Sequence, residues 1–243
     1  IFIRLGLNAP FPNPVAVEGP LSDPPTVLIY SASTTIGLFA VELLRLARTP
    51  TGKPYRVFAT ASPKHHAKLL ARGVEAAFDY RSKTWVEDVR KASGGICAAF
   101  DCISVGDSAA HISKTFVESG GVIAVIRMGL DEVGIKNGVK TIYSAVWVGL
   151  GHDFVFSGNV VSANPKWRAF TVEFFKFLSA GSHSHLPIKP VPIRLMPGGL
   201  DRIIPDGFAL LGTGMPESRK AVGAEPWMKP VSGEKLVYRV ASD

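Results

Sequence analysis

Cysteine is nearly absent from this chain: Cys97 and Cys102 are the only two in 243 residues. Two thiols cannot build a disulfide framework and they form no CxxC pair, so a four-thiolate zinc site is excluded and no metal is expected. A reducing interior such as the cytoplasm fits. Long apolar runs are missing too. Thr26–Tyr30 and residues 122–126 are strand-sized, far from the roughly 20 residues a bilayer span requires, so no membrane is expected. Charged residues make up only 19%, and the 27 Lys and Arg that outnumber 20 Asp and Glu are scattered. Without a dense basic run, the +7 formal charge reads as a solvated surface beside an anionic small ligand, not as a nucleic-acid face. An initiator methionine is also lacking. Ile1 opens a segment with neither a basic n-region nor a cleavage site, and the chain reads as a piece of something longer, or a gene model with its front missing.

What is present is core-forming material, 47% of the residues, enough for one large domain or one domain and part of another. Residues 8–25 hold six prolines and no periodicity, and read as a linker. Thr26–Tyr30 is a short apolar run, the mark of a wholly buried strand. From Ile36 the period becomes helical, with Ile36, Phe39, Ala40, Leu43 and Ala47 on one face and Glu42, Arg45 and Arg48 on the other. The alternation then repeats. Strands are expected at 55–60, 76–78, 97–103 and 122–126, and helices at 63–71, 85–91 and 109–117. This pattern predicts a doubly wound α/β domain with a parallel sheet covered on both faces. Beyond Ile126 the alternation weakens. A helix is expected over 164–179, an extended proline-rich crossing over 187–195, a short helix over 198–211, and a last strand over 235–240 with no neighbour in the sheet.

The first strand runs into Ser31-Ala-Ser-Thr-Thr-Ile-Gly37. In a doubly wound fold this turn sits at the carboxyl edge of the sheet, where the helix start offers unpaired N–H groups to a pyrophosphate. Small residues permit close approach, and the hydroxyls of Ser33, Thr34 and Thr35 add donors. The usual G-x-G-x-x-G is absent and only Gly37 remains. An ordinary Ser/Thr turn that caps its helix is the other reading. The second strand ends in Ala61-Ser-Pro-Lys-His-His66, with no acid to hold a ribose 2′-OH. A hydroxyl, an ammonium and an imidazole suit a 2′-phosphate instead, which favours NADP(H). A solvated first helical turn is the alternative for Lys64, His65 and His66. His183 and His185 read as a polar loop, His152 and Asp153 as a loop, and Asp101 as the end of a strand at the site mouth.

Five motifs in order, Tyr30-Ser-Ala-Ser-Thr-Thr-Ile-Gly37, Ala61-Ser-Pro-Lys-His65, Phe78-Asp-Tyr-Arg81, Phe100-Asp-Cys-Ile103 and Ser232-Gly-Glu-Lys-Leu236, resemble one group of fungal proteins. These are medium-chain dehydrogenase/reductases of the zinc-independent, trans-acting enoyl reductase type that serve polyketide synthases and toxin clusters. The resemblance implies an NADPH-dependent reduction of an activated carbon–carbon double bond in secondary metabolism, on a small-molecule or carrier-bound substrate, with a polyketide synthase as partner. It places Ser33, Thr34, Thr35 and Ile36 on the pyrophosphate, and Ser62, Lys64 and His65 around the 2′-phosphate. Tyr80 falls against the adenosine, Ile126 and Arg127 where the nicotinamide rests, and Val231 and Ser232 approach from the carboxyl-terminal segment. Trp147, Val148, Gly149, Leu150 and Gly151 border the substrate channel.

The family begins with a barrel-like lobe on the order of a hundred residues that this sequence lacks. The resemblance therefore implies a linker and lobe remnant over 1–25 and a dinucleotide-binding domain over 26–180. Residues 181–243 would complete that domain and return to the missing lobe. No catalytic residue is named. A non-catalytic NADP(H)-binding module is the alternative to an active reductase.

Overall fold

The computed structural model describes residues 1–14, 25–143, 145–156, 158–180, 188–211 and 223–240. The chain divides into two compact units, Ile1–Lys189 and Pro190–Asp243.

In the first unit six strands form one parallel sheet: β1 (Thr26–Tyr30), β2 (Arg56–Thr60), β3 (Ala76–Phe78), β4 (Ala98–Asp101), β5 (Gly121–Val125) and β6 (Val139–Tyr143). Their spatial order, β3-β2-β1-β4-β5-β6, reverses direction between β1 and β4. Parallel neighbours demand crossovers. Helices α2 (Thr35–Leu46), α3 (His66–Leu70), α4 (Trp85–Ser93) and α5 (Ser108–Ser113) lie within them, after the short N-terminal helix α1 (Phe2–Leu5).

The strands are apolar throughout because both faces are covered. On one face Leu28, Phe58, Ala99 and Ile123 pack with Trp85, Val89, Ala109, Ile112 and Phe116. The alternate residues Val27, Ile29, Val57, Ala59, Ala98 and Ala124 point the other way and are as deeply buried. The doubly wound parallel sheet expected from the sequence is thus the observed fold.

Several local expectations are corrected. On α2 the buried residues are Gly37, Leu38, Ala40, Val41, Glu42 and Leu44, while Ile36 is exposed. Glu42 was expected outside; it is fully buried because Arg72 (2.9 Å) and Arg45 (3.1 Å) bring guanidinium groups to its carboxylate. Helix α5 stops at Ser113, short of residue 117. The Ser113 and Thr115 hydroxyls donate to the carbonyls of Ala110 and Ile112, a local bonding that competes with helix continuation. Strand β6 was not anticipated: as an edge strand it is buried only at Val139, so its sequence carries little apolar signal. The expected linker is partly core, for Phe11 is buried and packs on Phe170, Phe174 and Phe177 of α6 (Pro165–Ser179). Strands β7 (Phe154–Phe156) and β8 (Asn159–Val161) form an antiparallel hairpin.

In the second unit β9 (Ile193–Leu195) pairs in parallel with β10 (Lys235–Val237). The last strand has no neighbour in the six-stranded sheet, as expected, and its partner β9 lies in a separate two-stranded sheet. Arg194 on β9 is buried. It pairs with Glu234 and donates to the carbonyls of Trp227 (2.8 Å), Lys229 (2.6 Å) and Pro230 (3.2 Å). Residues 200–211 are a run of 3₁₀ and π turns.

Candidate functional site

The strand order reverses between β1 and β4, and in such sheets ligands bind outside the carboxyl ends of the strands at this switch point. The chain leaves β1 through a turn tied to β2: the amides of Ser31 and Ala32 donate to the hydroxyl and carbonyl of Thr60 (3.0 and 2.9 Å). Ser31 has a positive φ of 60°, which turns the chain sharply into α2.

Thr34 is the N-cap. Its hydroxyl accepts from the Gly37 amide (3.0 Å) and donates to the Ser31 carbonyl (2.9 Å). That hydroxyl is committed to capping, one of the two readings open for this loop. The amides of Thr35 and Ile36, which have no acceptor within the helix, lie in its first turn. Gly37 is required by contact: a Cβ there would lie 2.6 Å from Ala32 Cα and 2.8 Å from the Ala32 carbonyl. Only glycine lets α2 sit this tightly on the turn.

Past β2, Ser62 precedes a 3₁₀ turn, Pro63–His65, which leads into α3. Lys64 is exposed, and among the described residues no carboxylate pairs with it. Asp79, just past the end of the neighbouring β3, is held by Arg81 in a two-point contact (3.0 and 3.2 Å). That contact holds Asp79 below the usual carboxylate range. The His65 imidazole has its pKa lowered, first by burial and then by Lys64, Lys68 and His66. His66 Nε2 lies 2.9 Å from the Ala61 carbonyl.

Tyr80 stands edge-on to Tyr30, with ring centres 6.4 Å apart, and Tyr30 tilts against Trp85 at 5.7 Å. These aromatics line a recess of about 530 Å³ with Ser82, Lys83, Asp107 and His111 among its other walls.

On the other side of the switch point, the Asp101 carboxylate is fully buried at the end of β4. It accepts from the amides of Ile103 (3.1 Å) and Ser104 (2.8 Å) and from the Ser108 hydroxyl (2.5 Å). The Ser104 hydroxyl donates to the Asp101 carbonyl and accepts from the Ile126 amide, each at 3.0 Å. Sequence reasoning singled out Asp101 but missed Ser104 and Ser108. Serines three and seven residues after a strand-ending Asp are the available signal, since Asp carboxylates gather nearby amides and hydroxyls.

Ile126 is half-buried and Arg127 exposed. Trp147, Val148, Gly149 and Leu150 lie in a 3₁₀ turn, Val146–Leu150, ending at Gly151 in the left-handed region. A Cβ at Gly149 would meet Thr171 Oγ1 at 2.2 Å, and one at Gly151 would meet the Arg168 side chain at 2.8 Å. The segment is therefore pressed against α6. Trp147 also stacks on Phe156 at 4.5 Å. Val231 and Ser232 belong to the second unit, where the Val231 amide donates to the Leu210 carbonyl (3.3 Å). His183 and His185 lie outside the described residues. Among the described residues no three His, Cys, Asp or Glu side chains gather as a metal site, and no helix is long and apolar enough to cross a membrane.

No family model matches the chain. Curated relatives do. It is 31% identical over 239 residues to the trans-enoyl reductase ACTTS2 of Alternaria alternata, covering 96% of this chain and 59% of that one. To the trans-enoyl reductase poxP of Penicillium oxalicum it is 31% identical over 187 residues, 75% of this chain and 47% of that one. Among solved structures, the CurK enoyl reductase superposes with a TM-score of 0.55 at 17% identity, over 76% of this chain and 50% of that one. A putative NADPH:quinone reductase from Bacillus thuringiensis gives 0.56 at 14% identity, over 78% and 53%. These two show the fold. The chain spans about half the length of the curated relatives it matches. In sequence and in fold alike, it belongs with the medium-chain dehydrogenase/reductases of the trans-enoyl reductase type.

Proposed function

We propose that this chain binds NADP(H) across the rim of its sheet and serves the reduction of an activated carbon–carbon double bond, in an enoyl thioester or an enone. One observation carries the reading. A tightly seated helix start, fixed by Gly37 against Ala32, follows β1 at the switch point, beside a β2 end that offers Lys64 and no carboxylate.

Bound there, the cofactor would supply the hydride. The chain's own part is to bind and orient. The first-turn amides of Thr35 and Ile36, with the Ser33 hydroxyl, face the pyrophosphate, where the helix N-terminus favours negative charge. Ser62, Lys64 and His65 take the 2′-phosphate, whose near-double charge a carboxylate would repel. Tyr80 covers the adenosine. Ile126 and Arg127 meet the nicotinamide end. Residues 147–151 border the substrate, and a polyketide synthase supplies it on a carrier. The fit is a reasoned one: the pocket residues are small, hydroxylic or cationic where anionic groups are to sit.

Turnover tests the enzyme reading. The chain incubated with NADPH and simple enones or enoyl thioesters is expected to oxidise NADPH in proportion to substrate. Tight NADPH binding without any oxidation would favour the non-catalytic binding module. Failure to bind NADPH at all would remove both.

A further inference from the structure

We propose that Ser104 is a positioning residue for the nicotinamide half of the bound dinucleotide, an inference that rests on the cofactor reading above. Ser104 is 2% exposed and holds a φ of 51°, in the left-handed region where a residue with a Cβ is strained. Such a conformation persists only where its surroundings over-determine it. Here three hydrogen bonds do so, two of them to Asp101 and the third from the Ile126 amide.

The third bond is the informative one. It spans 22 residues and ties the turn after β4 to the end of β5. Asp101 anchors the arrangement from below, fully buried and satisfied by two amides and the Ser108 hydroxyl. The bonds within residues 101–108 shape the turn after β4, and the Ser104 bond joins that turn to the end of β5. A dinucleotide laid across a switch point puts its two halves on opposite sides of it. With the adenosine half assigned beyond β2, at Ser62 and Lys64, the nicotinamide half falls at the β4 and β5 ends. Ser104 then sets where Ile126 and Arg127 stand without itself touching the adenosine side.

The two halves can be probed separately. NADPH reports on both, and adenosine 2′,5′-bisphosphate on the adenosine side alone. Ser104→Gly removes the hydroxyl while suiting the positive φ, and Ser104→Ala removes it while keeping the Cβ, so one variant compensates for misfolding of the other. In calorimetric titrations of the full chain, both variants are expected to bind NADPH about tenfold more weakly, the cost of about one hydrogen bond. Binding of the bisphosphate should stay within about twofold by the same scale. Hydrogen exchange at the Ile126 amide should quicken in both. Equal losses for the two ligands, no loss for either, or unchanged exchange at Ile126 would overturn the proposal. So would wild-type chain that binds the bisphosphate as tightly as NADPH, a result that leaves the cofactor reading intact. Wild-type chain that binds neither ligand would overturn the cofactor reading and this inference with it.

Discussion

In the first unit, β1, β2 and β4 bury side chains on both faces, and Leu28, Phe58 and Ile123 reach zero exposure. In the second, two strands of three residues each are joined around one buried guanidinium, that of Arg194, which ties Glu234 and three backbone carbonyls of residues 227–230. The difference is one of adhesive. Apolar burial is non-directional and tolerates a change that keeps volume, whereas a polar clamp fails when any single partner goes. The same contrast recurs at the rim of the sheet. The β1 turn is shaped by close backbone contact at Gly37, and the β4 turn by the side chains of Asp101 and Ser104.

Phe58→Ala would break the apolar side of this comparison. It should cost about 4 kcal/mol and lower the melting temperature of the whole first unit, as seen by calorimetry. A loss under about 1 kcal/mol, far below the range for such truncations, would mean that the sheet is not held by its core.

Arg194→Ala is the matching test of the clamp. Leaving Glu234 half-buried and unpaired should cost about 3 kcal/mol. That loss should show as faster hydrogen exchange at Met196 and Lys235, whose amides donate to Val237 and Pro192. Protection of the β1 and β4 amides should be retained. Glu234 adds a pH signature. Burial pushes its carboxyl up, but the Arg194 hydrogen bonds and charge, with Lys229, hold it below the ordinary value of 4.5. A depressed carboxyl stabilises the fold above pH 4.5 and loses that contribution as the pH falls through its folded pKa. Protection of β9 and β10 should therefore drop below pH 4.5 in the wild type and show no such step in the variant.

At the rim, Lys64→Ala should weaken NADPH binding about tenfold, the scale of one charge-assisted hydrogen bond, and leave NADH binding unchanged. Equal weakening of both would remove Lys64 from the 2′-phosphate.

The smallest effect concerns His65. Burial and the neighbouring Lys64, Lys68 and His66 keep its pKa below the ordinary 6.5. A phosphate brought alongside would raise it, so that binding takes up a proton. NADPH affinity should then rise as the pH falls from about 8 to about 6.5, across the ordinary imidazole range, while NADH affinity stays level. A His65 resonance unmoved by NADPH in an NMR titration would exclude the contact.

The first five strands and the helices between them were legible because parallel strands buried on both faces leave unbroken apolar runs, and α2 announces itself by its helical period. What escaped was carried by polar partners distant in sequence. Glu42 looked like a surface residue because Arg72, 30 residues on, cannot be foreseen as its partner. Strand β9, which pairs with β10 outside the main sheet, escaped because it is only three residues long. In the site, the turn and its glycine were readable from residue size, and capping by the Ser/Thr run was one of the two readings left open, the one the Thr34 hydroxyl takes. The Ser104 bond to Ile126 depends on two chain segments meeting, which no spacing within either one reveals.

The central claim is that the β2 end selects a 2′-phosphate. Competitive titration of the chain with NADPH and NADH at pH 7 and constant salt tests it most directly. The account predicts that NADPH binds at least about tenfold more tightly, the worth of one charge-assisted hydrogen bond or more. Equal affinities, or a preference for NADH, would contradict it.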